Sequence, residues 1–157
     1  MNLITTGLAA HEWAHARYSI EAQKIGVFIG CKSRKHFNGV DHYRVSPSDD
    51  YFEDLDDTAC RTLAGPVGEM LLIGAPISWE SVRKGSRYGV TDFEYIDKMI
   101  KHKWIEESQL DDLCIQTANV IRPSIREDVV QIFRLMLSQM EPNQIVEIAY
   151  ETKTRAS

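Results

Sequence analysis

Apolar residues along the chain recur at two spacings, and the changes between them divide it into elements. Residues 4 to 23 (ITTGLAAHEWAHARYSIEAQ) are good helix formers with no proline. Thr5 or Thr6 can supply an N-cap oxygen, so this stretch predicts a helix. Residues 24 to 33 (KIGVFIGCKS) and 41 to 46 (DHYRVS) are short, β-branched or aromatic-rich runs separated by Asn38-Gly39, which predicts two strands joined by a turn. After an acidic, turn-rich stretch at 46 to 57 (SPSDDYFEDLDD), residues 55 to 73 return to helical spacing and stop at Gly74. Gly65 and Pro66 fall inside that run. In a regular helix they cost about 1 and 3 kcal/mol relative to Ala, so a close backbone approach or a kink is expected there. A loop lining a cleft is expected over 75 to 89. Helices follow over 91 to 103 with Thr91 as N-cap, 106 to 121, 124 to 140, and 143 to 150. The pattern predicts one α+β domain over residues 1–150, dominated by helices with one small sheet after the first helix. Residues 151–157 are expected to form a frayed tail.

Composition narrows the class. The chain has 157 residues, 43% hydrophobic and 26% charged, enough for a core of its own. A net charge of -5, with no basic run longer than Lys32-Ser33-Arg34-Lys35, argues against a nucleic-acid surface, and that run reads as a solvated turn. Cys31, Cys60 and Cys114 are widely spaced and contain no C-x-x-C pair, so neither a disulfide framework nor a thiolate metal cluster is expected. No stretch approaches the roughly 20 apolar residues of a membrane span, and the start lacks the basic flank of a cleaved signal. These features together predict a cytoplasmic protein without a membrane partner.

The chemistry concentrates in the first predicted helix, where His11, Glu12 and His15 stand in the order H-E-x-x-H. Helical positions four apart share a face, so both imidazoles can be directed at one ion, with Glu12 beside them as general base. A helix face that merely packs is the plain alternative. A catalytic zinc usually takes three protein ligands and leaves the fourth position to water. Candidates for the third are His36, His42, Glu69 and Asp92. The two histidines read as exposed side chains. Glu69 lies in the apolar run AGPVGEMLLIG, where an ionised carboxylate needs a partner: a metal, a ligating histidine or a helix end. Asp92 falls at a predicted helix start, where an acid is electrostatically favoured without any metal.

Taken in order, H-E-x-x-H, then L-A-G-P-V-G-E-M-L at 63 to 71, then G-S-R-Y-G-V-T-D-F-E-Y-I-D at 85 to 97, the chain resembles the peptidase domain of FtsH-type zinc proteases. It departs from that pattern at Trp13, Pro66, Gly68 and Met70. The resemblance implies a mostly helical, zincin-like domain that binds Zn²⁺ through His11, His15 and Asp92. Glu12 becomes the catalytic base, and Glu69 a supporting acid near the site or the alternative third ligand. It implies a zinc metalloendopeptidase acting on peptides or unfolded protein, with a homo-oligomer by analogy. The family's peptidase domain follows an ATPase module, but no G-x-x-x-x-G-K-[ST] phosphate loop occurs here. A chain complete in itself is therefore expected to act on flexible segments or to rely on a separate unfoldase or adaptor. The same absence, with the altered 66 to 70 segment, supports an alternative: a non-catalytic zinc-bearing binding or regulatory module on the same fold.

Overall fold

The first helix, α1 (Thr6–Glu21), starts where Thr5 Oγ1 accepts the Leu8 amide hydrogen at 3.1 Å. Ala9, Ala10, Ala14 and Ala16 are fully buried, and Leu8, Tyr18 and Ile20 nearly so. A surface helix buries one stripe. Burial on almost every side makes α1 a core helix, and its alanines let neighbouring backbones come close. The computed structural model describes residues 4–32, 43–48 and 54–151.

Beyond α1, Lys24 takes a positive φ of 59° and turns the chain into β1 (Val27–Cys31). β1 is the central strand of a three-stranded antiparallel sheet of order β2-β1-β3, flanked by β2 (Tyr43–Pro47) and β3 (Ile145–Ile148). Ile29 lies opposite Val45 on one side and Val146 on the other. With side chains alternating across a strand, Val27, Ile29 and Cys31 face the core with Tyr43, Val45, Val146 and Ile148, leaving Phe28, Gly30, Arg44 and Ser46 on the outer face. The predicted Asn38-Gly39 turn, His36, His42 and most of the 32–35 basic run lie outside the described residues.

β3 corrects a sequence expectation, since a helix was predicted over 143 to 150. Asn143 sits at φ 66°, which no helix allows, and its amide donates to the Cys31 carbonyl at 2.7 Å. The Ile-Val-Glu-Ile run is β-branched and short, so the open edge of β1 determines its conformation.

The second helix, α2 (Leu55–Leu72), is capped by Asp54, whose side chain accepts from the Asp57 amide at 2.7 Å. It packs closely along α1: a Cβ added at Gly68 would stand 2.3 Å from Ala14 Cβ and 3.0 Å from the Ala10 carbonyl oxygen. The helix ends at Gly74, which takes a φ of 69°. The predicted loop at 75 to 89 instead contains a short helix, α3 (Trp79–Gly85), capped by Ser78 Oγ. Val82 is its one buried side chain, too little to produce a periodic signal.

Helix α4 (Val90–Lys101) begins one residue before the prediction, with Gly89 rather than Thr91 at the N-cap. A Cβ at position 89 would meet Pro66 Cγ and Phe93 Cε2 at 2.8 Å, so the entry into α4 is pressed onto α2 where only glycine fits. Helices α5 (Leu110–Ile121) and α6 (Glu127–Gln139) are each preceded by a single 3-10 turn. Leu63, Val67, Ile96, Met99, Leu110, Ile121, Val130 and Leu137 are fully buried and form the core between the helices. Overall the chain is α+β, mostly helical with one small sheet. Among the described residues no helix is long and apolar enough to cross a membrane.

Candidate metal centre

His11 and His15 project from one face of α1, and Asp92 reaches the same point from the first turn of α4. His11 Nε2 lies 3.1 Å from His15 Nε2 and 3.0 Å from Asp92 Oδ2, and His15 Nε2 lies 3.3 Å from that oxygen. N and O ligands held tetrahedrally at roughly 2.0–2.2 Å from zinc stand about 3.3–3.5 Å apart. The observed triangle therefore accepts such an ion after outward shifts of a few tenths of an ångström.

The tautomers are set from behind. His15 Nδ1 is 2.9 Å from the Arg61 carbonyl oxygen, which can only accept, so Nδ1 carries the proton and Nε2 its lone pair. His11 Nδ1 donates to Glu69 Oε2 at 2.8 Å, again turning Nε2 toward the shared point. In the neutral imidazoles, two nitrogen lone pairs and a carboxylate oxygen thus converge with no donor among them. That donor set suits a divalent cation.

Glu69 lies on the far side of the His11 ring, away from the triangle. Its Oε2 also accepts from Ser86 Oγ at 2.5 Å, and its Oε1 accepts from the amides of Arg87 and Tyr88 at 2.8 and 3.3 Å. Four hydrogen bonds satisfy the buried carboxylate the sequence flagged as expensive. They hold the His11 ring and tie the 86–88 segment, which leads into α4 and Asp92, back to α2. Glu69 thus bonds the back of the His11 ring and lies outside the group of atoms that converge at the triangle.

Gly65 answers the oddity inside α2. A Cβ there would stand 2.3 Å from His15 Nε2 and 2.6 Å from His11 Nε2, so α2 passes the imidazoles at a distance only glycine permits. Pro66, which lacks an amide hydrogen, touches the α4 entry through Gly89. Trp13, between the ligands in sequence, points elsewhere: its Nε1 donates to the Ser124 carbonyl at 3.0 Å and its ring packs on Phe133.

Glu12 is 8% exposed and lines the cleft in front of the triangle. It makes no hydrogen bond or ion pair with another described residue. Burial pushes its pKa up, opposed by the nearby His11 and His15. The groups of the triangle act on one another. Burial works against a charge on His11, but hydrogen bonds to Asp92 and Glu69 and the charge of Glu12 outweigh it and raise its pKa to about 10. Burial pushes Asp92 up, but the charge of His15 and hydrogen bonds to both imidazoles hold it well below the usual carboxylate range.

The cleft has a volume of about 950 Å³ and runs between β2 on one side and the 87–92 segment on the other. Sequence reasoning identified both histidines, Glu12 and Asp92 as candidates and noted Glu69. The roles of Ser86, Arg87 and Tyr88 around Glu69 were not readable, and the Arg61 carbonyl has no side-chain signal at all. No family model matches the chain, and no curated protein and no solved structure matches it.

Proposed function

We propose that the protein is a zinc-dependent metallopeptidase similar to the FtsH peptidase domain, with the zincin-like arrangement that resemblance implies. The observation that carries this reading is the pairing of a metal-ready triangle, His11, His15 and Asp92, with a buried carboxylate, Glu12, that has no hydrogen-bond partner among the described residues and lines the same cleft. A buried carboxylate without a hydrogen-bond partner among the described residues is costly, and an ion held only for stability has no use for one. This favours the catalytic reading over the binding module.

Zinc bound here would supply Lewis acidity toward a scissile carbonyl and ease the ionisation of an attacking water. The chain's own groups do the rest. Glu12, its pKa raised by burial, takes the proton from the attacking water and returns one to the leaving amine. Glu69 and the Arg61 carbonyl hold the imidazoles in the ligating tautomer. Among the described residues β2 is an edge strand beside the cleft, so an extended peptide can add to it as a further strand and be held across the site. Such a substrate is a peptide or an unfolded segment, presented directly or by a separate unfoldase or adaptor.

Elemental analysis of gently purified protein, with cleavage of an unstructured protein, tests the proposal. We expect near-stoichiometric zinc that is lost in His11→Ala, and turnover that falls by at least about a thousandfold in Glu12→Gln with the metal retained. Equal cleavage by Glu12→Gln and the parent would end it.

A further inference from the structure

The chain carries a net charge of -5, yet the described walls of its cleft carry the opposite sign. Lys32 and Arg44 stand on the sheet side, Arg87 on the segment before α4, and Arg61 on α2 between them. Among the described residues the acids lining the cleft are Glu12 and Asp92, the base and a ligand, and a divalent ion would offset their two charges. Lys32, Arg44 and Arg87 are exposed and form no ion pair with another described residue. Elsewhere some exposed cations do find acids: Arg83 with Asp97, Lys84 with Glu80, Arg126 with Asp128. Three cations without an acidic partner among the described residues therefore line the cleft where a substrate would lie.

Their placement has a direction. Arg44 lies opposite Gly30 on the outer face of the edge strand, and Lys32 continues that face just past the end of β1. Arg87 is fixed by its own amide, which donates to Glu69 at 2.8 Å, so its side chain leaves a rigid backbone on the opposite wall. A strand laid along β2 thus has cations on both flanks of the metal triangle.

We infer that the cleft selects acidic substrates, peptides with Asp or Glu on both sides of the bond brought to His11, His15 and Asp92. This rests on the metallopeptidase reading for the cleavage step, but not for binding. A low-dielectric cleft lined by one sign focuses its field on an incoming chain of the other sign, and raises encounter rates by about ten- to a thousandfold.

The test uses the full chain loaded with zinc and three quenched-fluorescence peptides of equal length, whose flanking positions are Asp/Glu, Ser/Gln or Lys. Binding of the same peptides to Glu12→Gln is followed by anisotropy, which needs no turnover. The acidic peptide is expected to bind at least about tenfold more tightly than the neutral one, and the lysine peptide most weakly. The acidic-to-neutral ratio should fall toward one as salt rises from about 0.05 to 0.5 M, where the screening length shortens to a few ångströms. It should also fall in Arg44→Gln/Arg87→Gln, with both exposed positions leaving the fold intact by circular dichroism. Equal binding of acidic and neutral peptides, or a ratio indifferent to the double substitution, would overturn the inference even if peptides are cut. Charge-selective binding without cleavage would uphold it and remove the peptidase reading instead.

Discussion

At the level of single residues, the centre depends on protons as much as on ligands. His11 has an ordinary pKa of 6.5, and with Asp92 and Glu69 hydrogen-bonded to it the metal-free fold raises this to about 10. The folded chain then holds a proton that the unfolded chain releases. That contribution to stability is complete below about pH 6.5 and is lost as pH rises through about 10. A metal needs the same nitrogen unprotonated, so its affinity moves the other way. Zinc uptake is expected to strengthen from pH 6.5 toward 10 and to release protons. Metal-free protein should lose stability over that range while the zinc form does not. Titration in weak buffer and thermal melts across the window check this, and uptake that is flat with pH would contradict it. His11, Glu12 and His15 stood out because one helical turn brings i and i+4 together, a local relation. Asp92 did not separate from an ordinary helix-start acid, because its distance from α1 is a tertiary fact.

Among the elements, the close crossing of α1 and α2 carries both stability and the site, and two glycines divide these functions. Gly68 faces Ala14 and the Ala10 carbonyl, whereas Gly65 faces the two Nε2 atoms. Gly68→Ala should therefore cost about 1–3 kcal/mol as overpacking between helices, lowering the urea midpoint. Gly65→Ala should act mainly on metal affinity, by at least about tenfold on the scale of lost ligand positioning, with helical content retained. Calorimetric zinc titration beside urea unfolding separates the two, and unchanged zinc affinity in Gly65→Ala would refute the assignment. The elements that sequence misread have one cause. β3 has four residues and needs the edge of β1, and α3 has seven residues with one buried anchor. Neither carries enough internal pattern to define itself, unlike α2, whose eighteen residues do.

Across the molecule, the metal triangle lies at one end of a core that is closed without it. Leu63, Ile96, Leu110, Ile121 and Leu137 are fully buried among α2, α4, α5 and α6. Chelation should therefore leave far-ultraviolet circular dichroism near that of the zinc form. Melting should drop by about 10 °C, as expected for losing about 4 kcal/mol of binding stabilisation at a thousandfold excess over Kd. Outright unfolding on chelation would instead mark a structural ion. The long helices, the first two strands and the His11, Glu12 and His15 cluster follow from short-range periodicity and residue type, because those forces act within a turn or a strand. The chain's third strand, the approach of Asp92 to the two imidazoles, the contact of Glu69 behind His11 and the cationic walls were decided only by folding. Each depends on groups tens of residues apart meeting at one point, and no local pattern records which of several acids or arginines will arrive there.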